Sequence, residues 1–203
     1  MSSHYYSQKP STSGKKTVIT TIQFGNHLSF KSQSGVFSWQ KIDNGSQLLL
    51  KKLKLPEEEN AQILDLGCGY GFLGISLAKA NPEIIFHLTD INELAVKLTK
   101  ENCKINQVEK NTVVYQGDLY EPLNNEFLFD SIITNPPLMA GKDILRKITS
   151  ESKSHLKSTG SLQLVVPKKK GLISMQQMLT ENFGSFEVLG KGSGYWILKA
   201  NKA

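Results

Sequence analysis

A chain of 203 residues with 39% hydrophobic and 21% charged residues has the length and balance of one globular domain and is too short for two sizeable ones. Its net charge of +6 sets a modest bias towards anionic partners such as RNA. No apolar run reaches the length of a membrane span, Met1-Ser2-Ser3-His4-Tyr5-Tyr6 lacks the apolar stretch of a secretory signal, and Cys68 and Cys103 form neither a disulfide framework nor a metal-ligand spacing, so a cytoplasmic protein with free thiols, no membrane contact and no metal is expected.

Residues 1–16 are polar and rich in Ser and Lys, and are expected to form a flexible arm that carries Lys9, Lys15 and Lys16. A single domain is expected over 17–203, opening with a hairpin extension over 17–34. Thr17–Phe24 and His27–Ser32 alternate apolar and polar residues around Gly25-Asn26, the pattern of a β-hairpin. Gly35-Val36-Phe37-Ser38 follows, and then 43–54 carries apolar residues at helical spacing and stops before Pro56. From Ala61 the spacing predicts strands at 62–66, 84–89, 112–116, 129–134, 161–166, 185–190 and 194–200, with helices near 71–80, 92–106, 142–157 and 171–182. That alternation implies an α/β fold, a mostly parallel seven-stranded sheet with helices on both faces. The last two strands are joined by Gly190-Lys191-Gly192-Ser193-Gly194 with no helix between them, so they form a hairpin that places one antiparallel strand at the end of the sheet.

Open α/β sheets bind ligands outside the carboxyl ends of their strands. Two motifs fall there and are expected to face one pocket. Asp65-Leu66-Gly67-Cys68-Gly69-Tyr70-Gly71 follows the apolar Ile63-Leu64, and Asn135-Pro136-Pro137-Leu138 follows Ser131-Ile132-Ile133-Thr134. Gly67, Gly69 and Gly71 let backbone turn tightly and approach a ligand, with the small Cys68 between them. The helix starting near Phe72 offers N–H groups beside it. Gly69-Tyr70-Gly71-Phe72-Leu73-Gly74 also fits a dinucleotide fingerprint. That fingerprint needs no carboxylate ahead of its glycines, and a diphosphate would be repelled by Asp65. A cofactor with an ammonium and a sulfonium, S-adenosylmethionine, would be attracted. Asp90, with Ile91 beside it, ends the next apolar run and can accept from a ribose diol, or else cap the following helix, a task Asn92 could serve equally. Asp118, with Leu119, ends the third and can accept from an adenine amine or stand as a solvated turn residue.

Asn-Pro-Pro suits amine methylation. An exocyclic base amine is a poor nucleophile because its lone pair is delocalised. Two acceptors on its N–H groups, the Asn135 side-chain carbonyl and the Pro136 backbone carbonyl, favour pyramidal geometry and aim that lone pair. Pro136 and Pro137 hold the turn rigid. No metal or strong base is needed, and a flat amine-bearing target has to be unpaired first. Lys168-Lys169-Lys170 follows the strand 161–167 on the same side of the sheet, either meeting phosphates or forming a solvated face, and Phe37 joins them as a weaker substrate-binding candidate.

The parallel sheet, its terminal hairpin and the D-x-G-x-G-x-G loop resemble a class I S-adenosylmethionine-dependent methyltransferase over Gly35–Ala200. The chain is most similar to the small-domain methyltransferases, which include the catalytic domain of ribosomal RNA small-subunit methyltransferases of the C type. The resemblance rests on Gly35-Val36-Phe37-Ser38, Asp43-Asn44-Gly45-Ser46, the loop Leu64–Gly71 and Asn135–Leu138, with His4-Tyr5-Tyr6-Ser7 resembling the start of stand-alone archaeal members. It implies a Rossmann-like methyltransferase sheet, S-adenosylmethionine as cofactor, and guanine-N2 methylation of ribosomal RNA or tRNA; the sequence leaves the oligomeric state open, and a monomer is compatible with it. The family usually has an aromatic after Asn-Pro-Pro, where it can stack on the target base. Leu138 lacks that stacking face. Adenine amines, a protein glutamine amide, a non-catalytic RNA-binding subunit and a nicotinamide oxidoreductase are the competing functions. The last leaves Asn135-Pro136-Pro137 unexplained.

Overall fold

The computed structural model describes residues 14–123 and 127–202. Most of the expected arm, with Lys9 and His4-Tyr5-Tyr6-Ser7, lies outside them. Strand β1 (Lys16–Gln23) pairs antiparallel with β2 (Asn26–Gln33), Gln23 opposite Asn26. The two turn residues are therefore Phe24 and Gly25, one place earlier than the sequence pattern suggested, both at positive φ (51° and 78°). Such a turn matches the twist of its strands.

Helix α1 (Asn44–Lys52) precedes β3 (Gln62–Leu66), α2 (Phe72–Ala80), β4 (Ile85–Asp90), α3 (Glu93–Ile105), β5 (Thr112–Gln116) and β6 (Phe129–Thr134). Then come α4 (Lys142–His155), β7 (Leu156–Pro167), α5 (Leu172–Phe183), β8 (Glu187–Gly192) and β9 (Tyr195–Asn201). The sheet order is β5-β4-β3-β6-β7-β9-β8. β9 alone runs antiparallel, lying between β7 and the edge strand β8. The chain winds outward from β3 through β4 to β5, then crosses back to β6 on the other side of β3. The crevice between β3 and β6 is thus the place where strand order reverses and ligands bind.

Most boundaries fall within a residue or two of the sequence pattern, and two differences carry structural meaning. β7 starts at Leu156, directly off α4, and its register against β6 shifts between Phe129 and Ser131. Lys157–Gly160 thus belong to an irregular strand start and not to a loop. β8 runs on through Gly190, Lys191 and Gly192, so only Ser193-Gly194 makes the turn. Cβ atoms at Gly190 and Gly192 would lie 2.8 Å from Lys52 Cγ and 3.2 Å from Leu48 Cδ1, so these glycines seat α1 against the edge strand.

Each central strand feeds both faces of the sheet, as alternation requires. Ile63, Phe86, Ile133 and Val165 pack with α1, α2, α3 and the hairpin. Leu64, Ile132, Leu164 and Phe129 pack with α4 and α5. The hairpin is fastened by side-chain amides. Asn106 Oδ1 accepts from Ser29 N–H at 3.0 Å and its Nδ2 donates to Ser29 O at 2.8 Å. Asn102 treats Lys31 alike, at 2.8 and 2.9 Å, and its Nδ2 also donates to Tyr70 O at 2.8 Å. Hairpin, α3 and glycine loop form one unit. No helix among the described residues is long and apolar enough to cross a membrane.

Candidate active site

The cleft at the β3–β6 crevice is lined by Asp65, Gly67, Cys68, Gly69, Asp90, Ile91, Asp118, Leu119, Asn135, Pro136 and Pro137, joined by Phe37, Asp43 and Ser46. The two motifs therefore meet, as the strand ends dictate. Gly71 stands apart from this lining. A Cβ on it would meet Ile75 Cδ1 at 2.6 Å, so at φ 92° it serves the loop's packing. Gly67 and Gly69 have open space where Cβ would be: nothing lies within 4 Å of the first, and only Val36 Cγ1, at 3.9 Å, of the second.

The loop's donors are spent inside the protein. Gly67 N–H and Cys68 N–H both donate to Thr89 O at 2.9 Å, Gly71 N–H donates to Cys68 O, and Gly69 N–H donates to Asp90 Oδ2 at 2.8 Å. At the α2 N-terminus, where a diphosphate would sit, Gly74 N–H donates to Asp65 Oδ2 at 2.9 Å. These five N–H groups are therefore occupied, while Phe72 N–H and Leu73 N–H at the start of α2 have no acceptor among the described residues. The loop presents carboxylates instead. Burial pushes Asp65 up to about 7 against the Gly74 hydrogen bond, with Asp90 adding to the rise. Burial likewise pushes Asp90 up to about 6, opposed by donors Asn92 N–H and Gly69 N–H. Two acids held in one cleft with raised pKa values form an environment that a cation relieves. Burial and the same two acids also push the Cys68 thiol up, so it stays protonated.

The helix cap falls to Asn92, whose Oδ1 accepts from Leu94 N–H and Ala95 N–H at 2.9 and 3.4 Å. Asp90 instead faces the cleft, each carboxylate oxygen holding one backbone donor and keeping further acceptor capacity. Asp118 also lines the cleft. Leu119 beside it has φ 49°, a conformation that costs a bulky residue on the order of 1 kcal/mol and marks a constrained turn.

On the opposite wall, Pro137 (φ −75°, ψ 79°) centres an inverse γ-turn in which Leu138 N–H donates to Pro136 O at 2.9 Å. One lone pair of the Pro136 carbonyl is thus used and one remains. Asn135 Nδ2 donates to Asp43 Oδ2 at 3.0 Å and to Ser46 Oγ at 2.9 Å, and its Oδ1 receives no hydrogen bond from the described residues. Asp43 is the N-cap of α1 and accepts from Ser46 N–H at 2.8 Å. Gly45 makes room for this: a Cβ there would lie 2.9 Å from Asp43 Oδ2 and 3.0 Å from the Tyr195 ring. From sequence Asp43-Asn44-Gly45-Ser46 marks a helix start, and its contact with Asn135 arises only in the fold.

Leu138 is half-buried, outside the cleft lining, packed on the apolar cluster of α4 and α5. Its neighbour Met139 is 80% exposed instead. Phe37 lines the cleft mouth and is 45% exposed. Lys168, Lys169 and Lys170 are exposed in the turn after β7, beyond the cleft lining, where Lys168 N–H donates to Gly194 O. Gly171 brings that turn close to Leu138.

Comparison with known proteins places this geometry in a family. The family model described as methyltransferase small domain matches residues 27–199. The chain is 42% identical over 202 residues to a protein of Bacillus subtilis named uncharacterized protein YbxB, covering all of both chains. It is 34% identical over 180 residues to ribosomal RNA small subunit methyltransferase C of Erwinia tasmaniensis, with 87% of this chain and 50% of that protein covered. It thus spans about half the length of the C-type enzymes it matches. The Thermus thermophilus 16S rRNA N2 G1207 methyltransferase, solved with AdoMet and guanosine, superposes with a TM-score of 0.83 at 28% identity, covering 96% of this chain and 52% of that one. With most of its length matched by the family model, the chain belongs to the methyltransferase small-domain family.

Proposed function

We propose that this protein is an S-adenosylmethionine-dependent RNA methyltransferase acting on the N2 amine of guanine in small-subunit ribosomal RNA. The observation that carries the cofactor assignment is the loop chemistry. Gly67, Cys68 and Gly69 have no N–H to spare, Asp65 occupies the Gly74 N–H in the first turn of α2, and two acids face the cleft. A pyrophosphate finds repulsion there, and a donor-rich cation finds acceptors. S-adenosylmethionine, when bound, supplies a methyl group on a positively charged sulfur. Asp90 would accept from its ribose hydroxyls, Asp65 would offset its positive charge, Gly67 and Gly69 would let it approach the backbone, and Asp118 with Leu119 would serve its adenine.

Asn135 Oδ1 and the remaining Pro136 lone pair accept from the target amine and direct its lone pair towards the methyl group. The amine becomes cationic on transfer, and its proton passes to solvent at the open mouth. The Thermus enzyme acts on a guanine N2 and the Erwinia relative bears a ribosomal RNA methyltransferase name, which supports the same substrate class here. Phe37 and the lysines 168–170 form the edge that meets RNA.

The test is a nucleoside census by mass spectrometry on ribosomal RNA from a strain lacking the protein, followed by labelled methyl transfer to that RNA. Loss of one N2-methylguanosine, restored by the purified protein, supports the proposal. An intact census with methyl transfer to adenine or to protein would reassign the substrate.

A further inference from the structure

Asn135 reaches its partners across 92 and 89 residues of chain, and both partners sit on the first turn of α1. Asp43 Oδ2 can only accept, so the end of the Asn135 amide that faces it has to be the NH2 end. Both N–H groups of that end are then taken, one by Asp43 and one by Ser46 Oγ. The other end, Oδ1, is what the cleft receives. An unpinned asparagine could rotate its amide by half a turn and present donors instead.

We propose that Asp43 and Ser46 are positioning and specificity-determining residues: they lock the Asn135 amide so that it shows the cleft an acceptor and never a donor. The lock selects for an amino group on the target and against a carbonyl or an unprotonated ring nitrogen, which need a donor opposite them. On a purine bearing both an amine and a carbonyl, it decides which edge is held for methylation. Asp43 acts through Asn135 while also capping α1, and Gly45 is the small residue that lets this cap and the Tyr195 ring crowd the same corner. The inference concerns the amine preference of the site and rests on the methyltransferase reading proposed above.

The cap and the lock can be separated. Serine is as good an N-cap as aspartate but is too short to reach Asn135. Asp43→Ser should keep the melting temperature and S-adenosylmethionine affinity near those of the parent, while single-turnover methyl transfer falls about tenfold. Asp43→Asn, which retains an acceptor of the same reach, should restore most of that loss. Ser46→Ala, which leaves the Asp43 cap intact, should lower transfer by a smaller factor, and the double variant Asp43→Ser with Ser46→Ala by more than either alone. A substrate-free readout accompanies these. The Asn135 side-chain amide resonances, identified by their loss in Asn135→Ala, should show two slowly exchanging protons in the parent and faster exchange in the double variant. Parent-like transfer by Asp43→Ser, failure of Asp43→Asn to restore it, or unchanged amide exchange in the double variant would each overturn the lock. Slow amide exchange in a parent that transfers nothing to ribosomal RNA would overturn the RNA assignment and leave the lock standing.

Discussion

At the ends of β3 and β4, polar side chains are held by backbone close by in the fold. Asp65 is held by Gly74 N–H, and Asp90 by Gly69 N–H and Asn92 N–H. At the end of β6, Asn135 is held by two side chains from a distant helix. The first wall is set by the folding of β3, α2 and β4 with their loops, where the acids are held by backbone N–H groups and not by other side chains. The second exists only once α1 has docked, so its geometry can be retuned by single substitutions. A common cofactor suits the first arrangement, and a substrate that differs between relatives suits the second.

Removing Asn135 should separate the two walls most sharply. Asn135→Ala should lower single-turnover methyl transfer about a hundredfold or more while S-adenosylmethionine binds nearly as before. Transfer at the parent rate would reduce the Asn-Pro-Pro segment to a turn. On the other wall, Asp90→Ala should weaken cofactor binding by roughly tenfold or more, since a buried charge-assisted hydrogen bond is worth about 1.5–3 kcal/mol. Equal affinities in calorimetric titration would remove Asp90 from the site.

The acids also set a pH dependence with opposite signs for folding and binding. The folded-state values of about 7 for Asp65 and about 6 for Asp90 lie above the ordinary 3.8, so the folded protein holds these protons more tightly than the unfolded chain. The stability they contribute to the free protein is full below pH 3.8 and is lost as pH rises through about 6 and 7. Cofactor affinity should rise over that same window, because only the ionised acids attract a cation. Titrations between about pH 5 and 7.5, where the cofactor's ammonium stays charged, check this. Asp65→Asn should raise the melting temperature of the free protein at pH 8 and weaken the cofactor. A flat pH profile in the parent would contradict the electrostatic role of both acids.

Two smaller effects test the outer edge. Replacing Lys168, Lys169 and Lys170 by Gln should reduce the slope of log RNA affinity against log salt by roughly two to three if all three meet phosphates. An unchanged slope returns the cluster to a solvated face. Leu138→Phe adds bulk to a half-buried site beside Gly171, and should cost about 1–3 kcal/mol, read as a lower melting temperature. Tighter RNA binding with no loss of stability would show that residue 138 reaches the base after all.

The fold was legible because its signals are local. Short apolar runs between amphipathic helices marked β3 at 62–66 and β5 at 112–116 to the residue. Ser158, Thr159 and Gly160 resemble a loop, and only the neighbouring β6 shows that they begin β7. The carboxylate side of the cleft was legible for the same reason, since Asp65, Gly67, Gly69 and Asp90 sit at or just after strand ends. What the pattern could not show is where spent donors go, because Thr89 O takes two N–H groups from a turn far off in sequence. Nor could it show the Asp43–Asn135 pair, because an N-cap aspartate looks the same whether or not a second side chain leans on it.

The Asn102 and Asn106 amides carry one more consequence. Four residues of helix advance about 6 Å and two residues of strand about 6.6 Å, so the two amides match alternate residues of β2 with little distortion. They occupy the outward N–H and C=O groups of Ser29 and Lys31, the groups a passing strand would use to extend the hairpin. An exposed strand edge is the usual template for unwanted chain-to-chain pairing. Here that edge is sealed by a helix imitating a strand, and the price of keeping a small hairpin beside the glycine loop is two asparagines.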